Sequence, residues 1–480
     1  MTANRFTFHL VTPLPFVLAL AGCGDQNTDG EELVDLSGAL TVPAGDPVVA
    51  VYDDLTINVP TRFNVPYAGA ARAEFPDGLP LSVGSGFRFR RHGPGLSFYG
   101  LTDRGPSADA PSYLDAAGVS HTTKAFAVPS FAPAILTVNV LPFLGPIVTS
   151  VMPIRSGGAA VDGQFPVGLS AEVGLTESLG VLPASATGLD PEGIDVDARG
   201  NIWLCEEYGP SLLKVHPRTG EILAKLTPGV GLPAVLVSRQ NNRGFEGIAV
   251  APTGRIYAMV QSTLDVAGST KSKAQFLRLV EYDPSTGATR MFAYPHDIAQ
   301  YAKSGDAKMG DLVAVDDHRF LVIEQGKDKN KAPRNLVYAI DIDGATDLTG
   351  RTLAGGANAG KELEYGTAAE IAAQVTTIRK SLVADIRGYD WTDEKAEGLS
   401  LVDDKTLVVT NDQDFGLTAT MSGDATSTDP TAYVVDSTGA LTINGVASPA
   451  KYELHATPVE THRSHALILR LQQPITTYCP

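Results

Sequence analysis

Cysteine is nearly absent. Only Cys23, Cys205 and Cys479 occur in 480 residues, with no CxxC pair and no Cys/His spacing suited to zinc. A disulfide-built scaffold and a structural zinc site are therefore excluded. Basic charge is also short, with 37 Lys and Arg against 54 Asp and Glu and a net charge of −17. No Lys/Arg cluster stands out, which argues against nucleic acid as a partner. Helical periodicity is scarce; its best stretch, 368–383, reads as a surface insertion. There is no GxSxG elbow, which disfavours a Ser-His-Asp esterase of the α/β-hydrolase type. Gly355–Glu362 (GGANAGKE) only approaches a P-loop, because Glu362 stands where Ser or Thr must hold Mg²⁺.

What is abundant points the other way. The 48 Gly and 32 Pro favour many turns, and 43 % hydrophobic residues suffice for a large core. The N-terminus reads as an export signal: Arg5 is the positive region, and Val11–Leu20 is an apolar run too short to span a bilayer. Leu20-Ala21-Gly22-Cys23 resembles a bacterial lipobox, which predicts a signal peptide over 1–22 and lipidation of Cys23. The polar, acidic stretch 23–45 then serves as a flexible tether. The expected product is exported, anchored to the bacterial cell envelope by lipid and not embedded in it. An oxidising compartment permits a Cys205–Cys479 disulfide, but Cys205 lies in an apolar strand pattern and reads equally well as a buried thiol.

One phrase recurs: a carboxylate, Gly, an apolar run, a turn, a second apolar run and a polar or acidic close. Its clearest copy is Pro191–Gly209 (PEGIDVDARGNIWLCEEYG), followed by Phe245–Ser262 and Ala396–Asp412. Weaker copies occupy Gly310–Gly326 and Gly84–Gly105. Each has period-two alternation broken by a turn, the pattern of a hairpin. The interval between the first two units in chain order is about twice the next, which predicts a further unit within Phe126–Ile154. The expectation is all-β, a six-bladed β-propeller spanning 46–480, closed between N- and C-terminal strands and carrying few surface helices. Two β-sandwich domains are the alternative, but no mid-chain linker is evident.

A hairpin returns to its starting side, so the opening and closing positions of each unit share one end of the channel. That groups Glu192, Glu207, Glu246 and Glu397 with the closing positions Asp103, Glu324 and Asp412. Gln261 closes the second unit without charge. Carboxylates facing one channel cannot all stay ionised unaided, and an all-oxygen donor set suits Ca²⁺. Any one of them read alone is an ordinary turn-capping carboxylate; the set is what suggests a metal.

The motifs LTDRGP (101–106), GLDPEGI (188–194), EYGP (207–210), RGFEG (243–247), DGATD (343–347) and NDQDFG (411–416) occur in order along the chain. Together they resemble the phytase-like family, also called "esterase-like activity of phytase", over about Gly84 to Leu471. The resemblance implies a propeller and phosphoester hydrolysis assisted by calcium. On it, Glu192, Glu207, Glu246 and Glu397 hold Ca²⁺, while Arg104 and Arg243 clamp non-bridging phosphate oxygens. Lys327 is a third, weaker cation, and an ion pair with a neighbouring acid is the equal alternative for Arg104. The scattered histidines read as surface or turn residues, with His296-Asp297 an acid/base pair only if it folds over the channel mouth.

Three functions compete. The first is a Ca²⁺-dependent hydrolase of a small phosphorylated substrate, working as a monomer. The second is a Ca²⁺-dependent lactonase or esterase, which few basic residues near the channel would favour. The third is a non-catalytic binding propeller at the cell envelope.

Overall fold

The computed structural model describes residues 47–90, 96–141 and 144–480. The signal peptide, Cys23 and the tether lie outside the described residues. The chain is all-β with almost no helix. Five sheets are each built on four antiparallel strands; the second adds a short parallel fifth, and the fifth takes its two outer strands from the ends of the chain. The first comprises Gly86–Phe89, Ser97–Leu101, Ala134–Leu141 and Gly145–Pro153. The second starts at Pro191–Val196, the third at Phe245–Val250, the fourth at Lys308–Ala314 and the fifth at Gly398–Leu401.

Local chemistry explains the hairpins. In the second sheet the Asp197 carboxylate accepts from the backbone N–H of Arg199 and Asn201, both at 2.9 Å, and Gly200 takes φ 79°. That is a turn built by a short acidic side chain and a residue without a Cβ penalty.

The first strands of the five sheets lie side by side in a closed ring: first against second, second against third, and so on until the fifth meets the first. Five hydrophobic clusters fill the spaces between successive sheets. Leu101 and Ile135 meet Ile194 and Leu204, for example, while Phe87 and Val148 meet Val408 and Ala466 across the closing interface. This is a propeller arrangement of five blades, not the expected six. The segment assigned to a sixth unit, Phe126–Ile154, supplies the two outer strands of the first sheet. The doubled interval had another cause, since residues 107–133 and 155–190 are excursions from the ring and not a blade.

Closure follows the expectation. The N-terminal strand Val48–Thr56 pairs with the C-terminal strand His465–Leu471, which pairs with Thr406–Thr410 in the fifth sheet. The glycines of the repeated phrase make the tight ring possible. A Cβ on Gly247 would sit 2.5 Å from the Leu312 nitrogen, and one on Gly398 would sit 2.6 Å from the Phe87 Cβ.

One further expectation is corrected, and the choice left open for the cysteines closes on two free thiols. The expected helix at 368–383 is a single capped turn, Ala368–Ala372, and Arg379–Asp385 forms the outer strand of the fourth sheet. Cys205 and Cys479 are both free. They belong to different inter-blade clusters, so no disulfide joins them. Among the described residues no helix is long and apolar enough to cross a membrane.

Two excursions build a second layer over one end of the ring. One leaves the first sheet after Leu101, the other the fifth after Thr410. They join through parallel pairing of Ser112–Leu114 with Tyr433–Asp436. The antiparallel pair of Leu417–Ser422 with Lys451–Ala456 packs beside Ser107–Asp109.

Candidate metal centre and cavity

Strand register decides which acids reach the channel. Gly193 pairs with Cys205, Gly86 with Leu101 and Gly398 with Thr410. Two residues beyond each partner stand Glu207, Asp103 and Asp412. Glu192, Glu246 and Glu397 hold the matching opening positions. All six line one cavity of about 1020 Å³ beneath the second layer, together with Arg104, Lys308 and Lys395.

Two trios could each hold a metal ion: Glu192, Glu246 and Glu397, all three lining the cavity, and Glu192 and Glu207 with Asp190, which does not line it. One oxygen from each member lies within 4.8 Å of the others, and all five residues are buried. Glu192 belongs to both. Burial, reinforced by the negative neighbours Asp190, Glu246 and Glu207, pushes its carboxyl well above the usual range. Glu207 and Glu246 are raised in the same way, and burial takes Glu397 to about 7. Asp103 is raised by burial and by Asp412 and Asp190. Asp412 goes the opposite way. Burial opposes its ionisation, but the Lys395 ammonium at 2.8 Å outweighs burial and holds it near 2. The buried Oε2 of Glu246 and Oε1 of Gln261 have no hydrogen-bond partner. Unfilled acceptors beside crowded carboxylates are what an all-oxygen site for a hard cation presents.

The other predicted residues divide. Arg104 lines the cavity, its guanidinium 2.9 Å from Asp190 and 3.2 Å from Glu207. Arg243 does not line it; its guanidinium is held by the Gly305 carbonyl and the Ser262 hydroxyl. Glu324 is also displaced. Met309 pairs with Glu324 as Pro191 pairs with Glu206, so Glu324 is the counterpart of Glu206 and not of Glu207. Alternation turns it outward, where it accepts from Tyr294 at 2.7 Å and Lys380 at 2.8 Å. Gln325 takes the closing position. Asp412 faces the cavity, but its oxygens accept from Ser82, the Asp414 backbone and Lys395, which makes it the seat of that lysine.

Lys327 reaches Glu394 on an exposed rim. His296 is buried, bonded to Ser304 at 3.0 Å and pushed down to about 4 by desolvation. It lies outside the cavity lining, and its neighbour Asp297 is bound by Tyr338, Arg334 and Lys380.

The sequence reading missed Asp190, Lys308, Lys395 and the ion pair that fills the ring itself. Arg88 is 5 % exposed and donates to the carbonyls of Ile194, Ile248 and Leu312 at 3.0, 2.9 and 2.7 Å. It also meets Asp311 at 3.2 Å. Four of the five inner strands are thus tied by one side chain. Lys308, Lys395 and Asp190 share a register two residues before the opening position, a signal present in the repeat once it is aligned.

A family model described as "Phytase-like: esterase-like activity of phytase" matches residues 80–415. An uncharacterized secreted protein of Arthroderma benhamiae is 28 % identical over 136 residues, 22 % of this chain and 26 % of that protein. The match thus spans about a quarter of that relative's length. Among solved structures, a luciferin-regenerating enzyme is 10 % identical, with 82 % of this chain and 94 % of that chain covered at a TM-score of 0.33. An α-L-arabinofuranosidase from Podospora anserina is 8 % identical, with 86 % and 96 % covered at 0.32. The Dos1 propeller is 9 % identical, with 73 % and 70 % covered at 0.27. Likeness this remote leaves the fold to be read from the strand pairings above and assigns no activity.

Proposed function

The chain belongs to the phytase-like family, and from that premise we propose that it is a calcium-dependent hydrolase of small phosphoesters. The observation that carries this reading is one cavity lined by four buried glutamates, Glu192, Glu207, Glu246 and Glu397, which with Asp190 form two trios, and by the cations Arg104, Lys308 and Lys395. Glu192, Glu246 and Glu397, with Glu207 and Asp190, would hold the ion, and Asp103 stands next to them. When bound, it supplies a Lewis acid for a phosphoryl oxygen and an activated water.

The protein's own groups do the rest. Arg104 is held rigid by Asp190 and Glu207 and presents its guanidinium to non-bridging oxygens. Lys308 takes the clamping role first expected of Arg243. Its ammonium is pulled below its ordinary range by burial and then by Arg243 and Lys395. A lysine so placed can anchor the phosphoryl group and yield a proton to the departing alkoxide. The second layer shields the floor from bulk water, which strengthens each charge interaction there. Four cations in the lining, counting Lys124, favour phosphate over the lactonase alternative.

The test is direct. EDTA is expected to abolish phosphate release from a panel of phosphomonoesters, and Ca²⁺ to restore it. Turnover indifferent to chelator overturns the metal role; lactone opening without phosphate release overturns the substrate class.

We further propose that the protein is exported and held at the cell envelope through lipid on Cys23, on the strength of Leu20-Ala21-Gly22-Cys23 after an apolar run. A labelled fatty acid is expected to enter the wild type and not Cys23→Ala. Label persisting in that variant rules the anchor out.

A further inference from the structure

The two carboxylate trios share Glu192 but differ in what faces them. In the trio of Asp190, Glu192 and Glu207, Nη2 of Arg104 lies 2.9 Å from Asp190 Oδ2 and 3.2 Å from Glu207 Oε2. That guanidinium is fixed from several sides. The backbone N–H of Arg104 donates to Asp190 Oδ1 at 2.8 Å, and its Nη1 donates to Asn242 Oδ1. Its Cζ lies 5.3 Å from the centre of the Tyr208 ring, and the residue is 8 % exposed. A metal ion on the same oxygens would stand against a buried positive charge that has no room to swing away, where water screens little. Arg104 is the resident cation of that trio.

The trio of Glu192, Glu246 and Glu397 has no such partner. Among the described residues, none of the three acids forms an ion pair within 4.0 Å, and Lys308 in the same lining forms none either. Lys395 is committed to Asp412 and Asp414 at 2.8 and 2.9 Å. A second observation points the same way. Gln261 is 6 % exposed, its amide lies against the Glu246 carboxyl, and its Oε1 has no hydrogen-bond partner. Oε2 of Glu246 has none. Oxygens so enclosed are beyond a substrate's reach, but they suit a hard cation seated among them.

We infer that the centre takes one divalent cation, on Glu192, Glu246 and Glu397, and that Arg104 fills the place of a second cation on Asp190 and Glu207. The inference rests on the metal reading above and narrows it from five acids to three. Glu192 then stands between an ion and a guanidinium. A phosphoryl group on this floor meets two unlike positive charges, of which a chelator removes one.

Equilibrium dialysis of the full chain against radioactive Ca²⁺ counts the ions. The wild type is expected to hold one per chain. Glu246→Gln and Glu207→Gln each alter one trio alone, and the first should weaken that ion at least tenfold more than the second. Arg104→Met should admit a second ion, whereas Arg104→Lys, which keeps the charge, should stay at one. Two ions on the wild type overturn the inference and leave the metal-dependent hydrolase standing, as does an ion weakened equally by Glu207→Gln and Glu246→Gln. Arg104→Met held at one ion, in protein that still unfolds cooperatively, overturns the role given to Arg104. A wild type that binds no Ca²⁺ overturns the inference and the calcium reading together.

Discussion

Arg88→Met is expected to destabilise the fold by about 3–5 kcal/mol, the usual cost of leaving a buried charge without its partner. Among the described residues Arg88 supplies the one cation paired with Asp311, which is fully buried and already pushed up to about 7 by desolvation. Three strand carbonyls also lose a charge-assisted donor in a space that water cannot refill. The deficit has a pH signature. Asp311 titrates above its unfolded value, so its ionisation opposes folding increasingly as pH rises from about 4 through 7. Removing Arg88 raises it further, so the variant should lose most at pH 8 and least at pH 5. Adding Asp311→Asn removes the orphan charge while keeping an acceptor for one of the two N–H groups, Leu399 and Leu312, that the two carboxylate oxygens now take. The double variant should recover the charge part of the loss and not the carbonyl part. Urea unfolding at the two pH values checks this; a single variant within about 1 kcal/mol of wild type would mean the pair does not hold the ring together.

That the largest structural effect falls on a residue invisible to sequence reading is instructive. Arg88 and Asp311 are 223 positions apart, and nothing local in either segment announces the other. The repeated phrase was legible because both its letters have a local cause: the Glu of 192, 246 and 397 serves the cavity, and the Gly after it lets the neighbouring strand approach. The fourth unit broke that code by reading Gly310-Asp311 where the second, third and fifth read Glu-Gly. Its register then had no anchor, and Glu324 was taken for a ring acid when Gln325 holds that place. Blade number failed for a related reason. Interval counting assumes that insertions are small, whereas the first sheet carries one that pairs with a segment more than 300 residues away to build the second layer. Alternation and turns are local physics; register across an insertion is not.

The second large effect concerns the trios. Glu192→Gln is expected to raise the stability of the metal-free protein at pH 8 while removing most of the stabilisation by Ca²⁺. The signs follow from the carboxyls. Glu192, Glu207 and Glu246 are raised by burial and mutual repulsion, and Glu397 lies near 7, against about 4.3 in the unfolded chain. Across that interval the native state binds more protons than the unfolded state, so metal-free stability is full below about pH 4.3 and falls as pH rises through 7. Each proton of difference costs about 1.4 kcal/mol per pH unit. Asp412, held near 2 by Lys395, acts only at the acid end, where its contribution is lost as pH falls. Ca²⁺ competes with those protons, so its benefit should be slight at pH 5 and reach about 2.7 kcal/mol at pH 8 with metal at a hundredfold excess over Kd. Glu192 is shared by both trios, so neutralising it relieves repulsion in each and replaces a charged ligand of each by a weaker amide oxygen. Thermal unfolding with EDTA or Ca²⁺ at pH 5 and pH 8, for wild type and Glu192→Gln, gives the full comparison. A wild-type Ca²⁺ shift equal at the two pH values, or one that survives Glu192→Gln undiminished, would place the ion elsewhere than on these carboxylates.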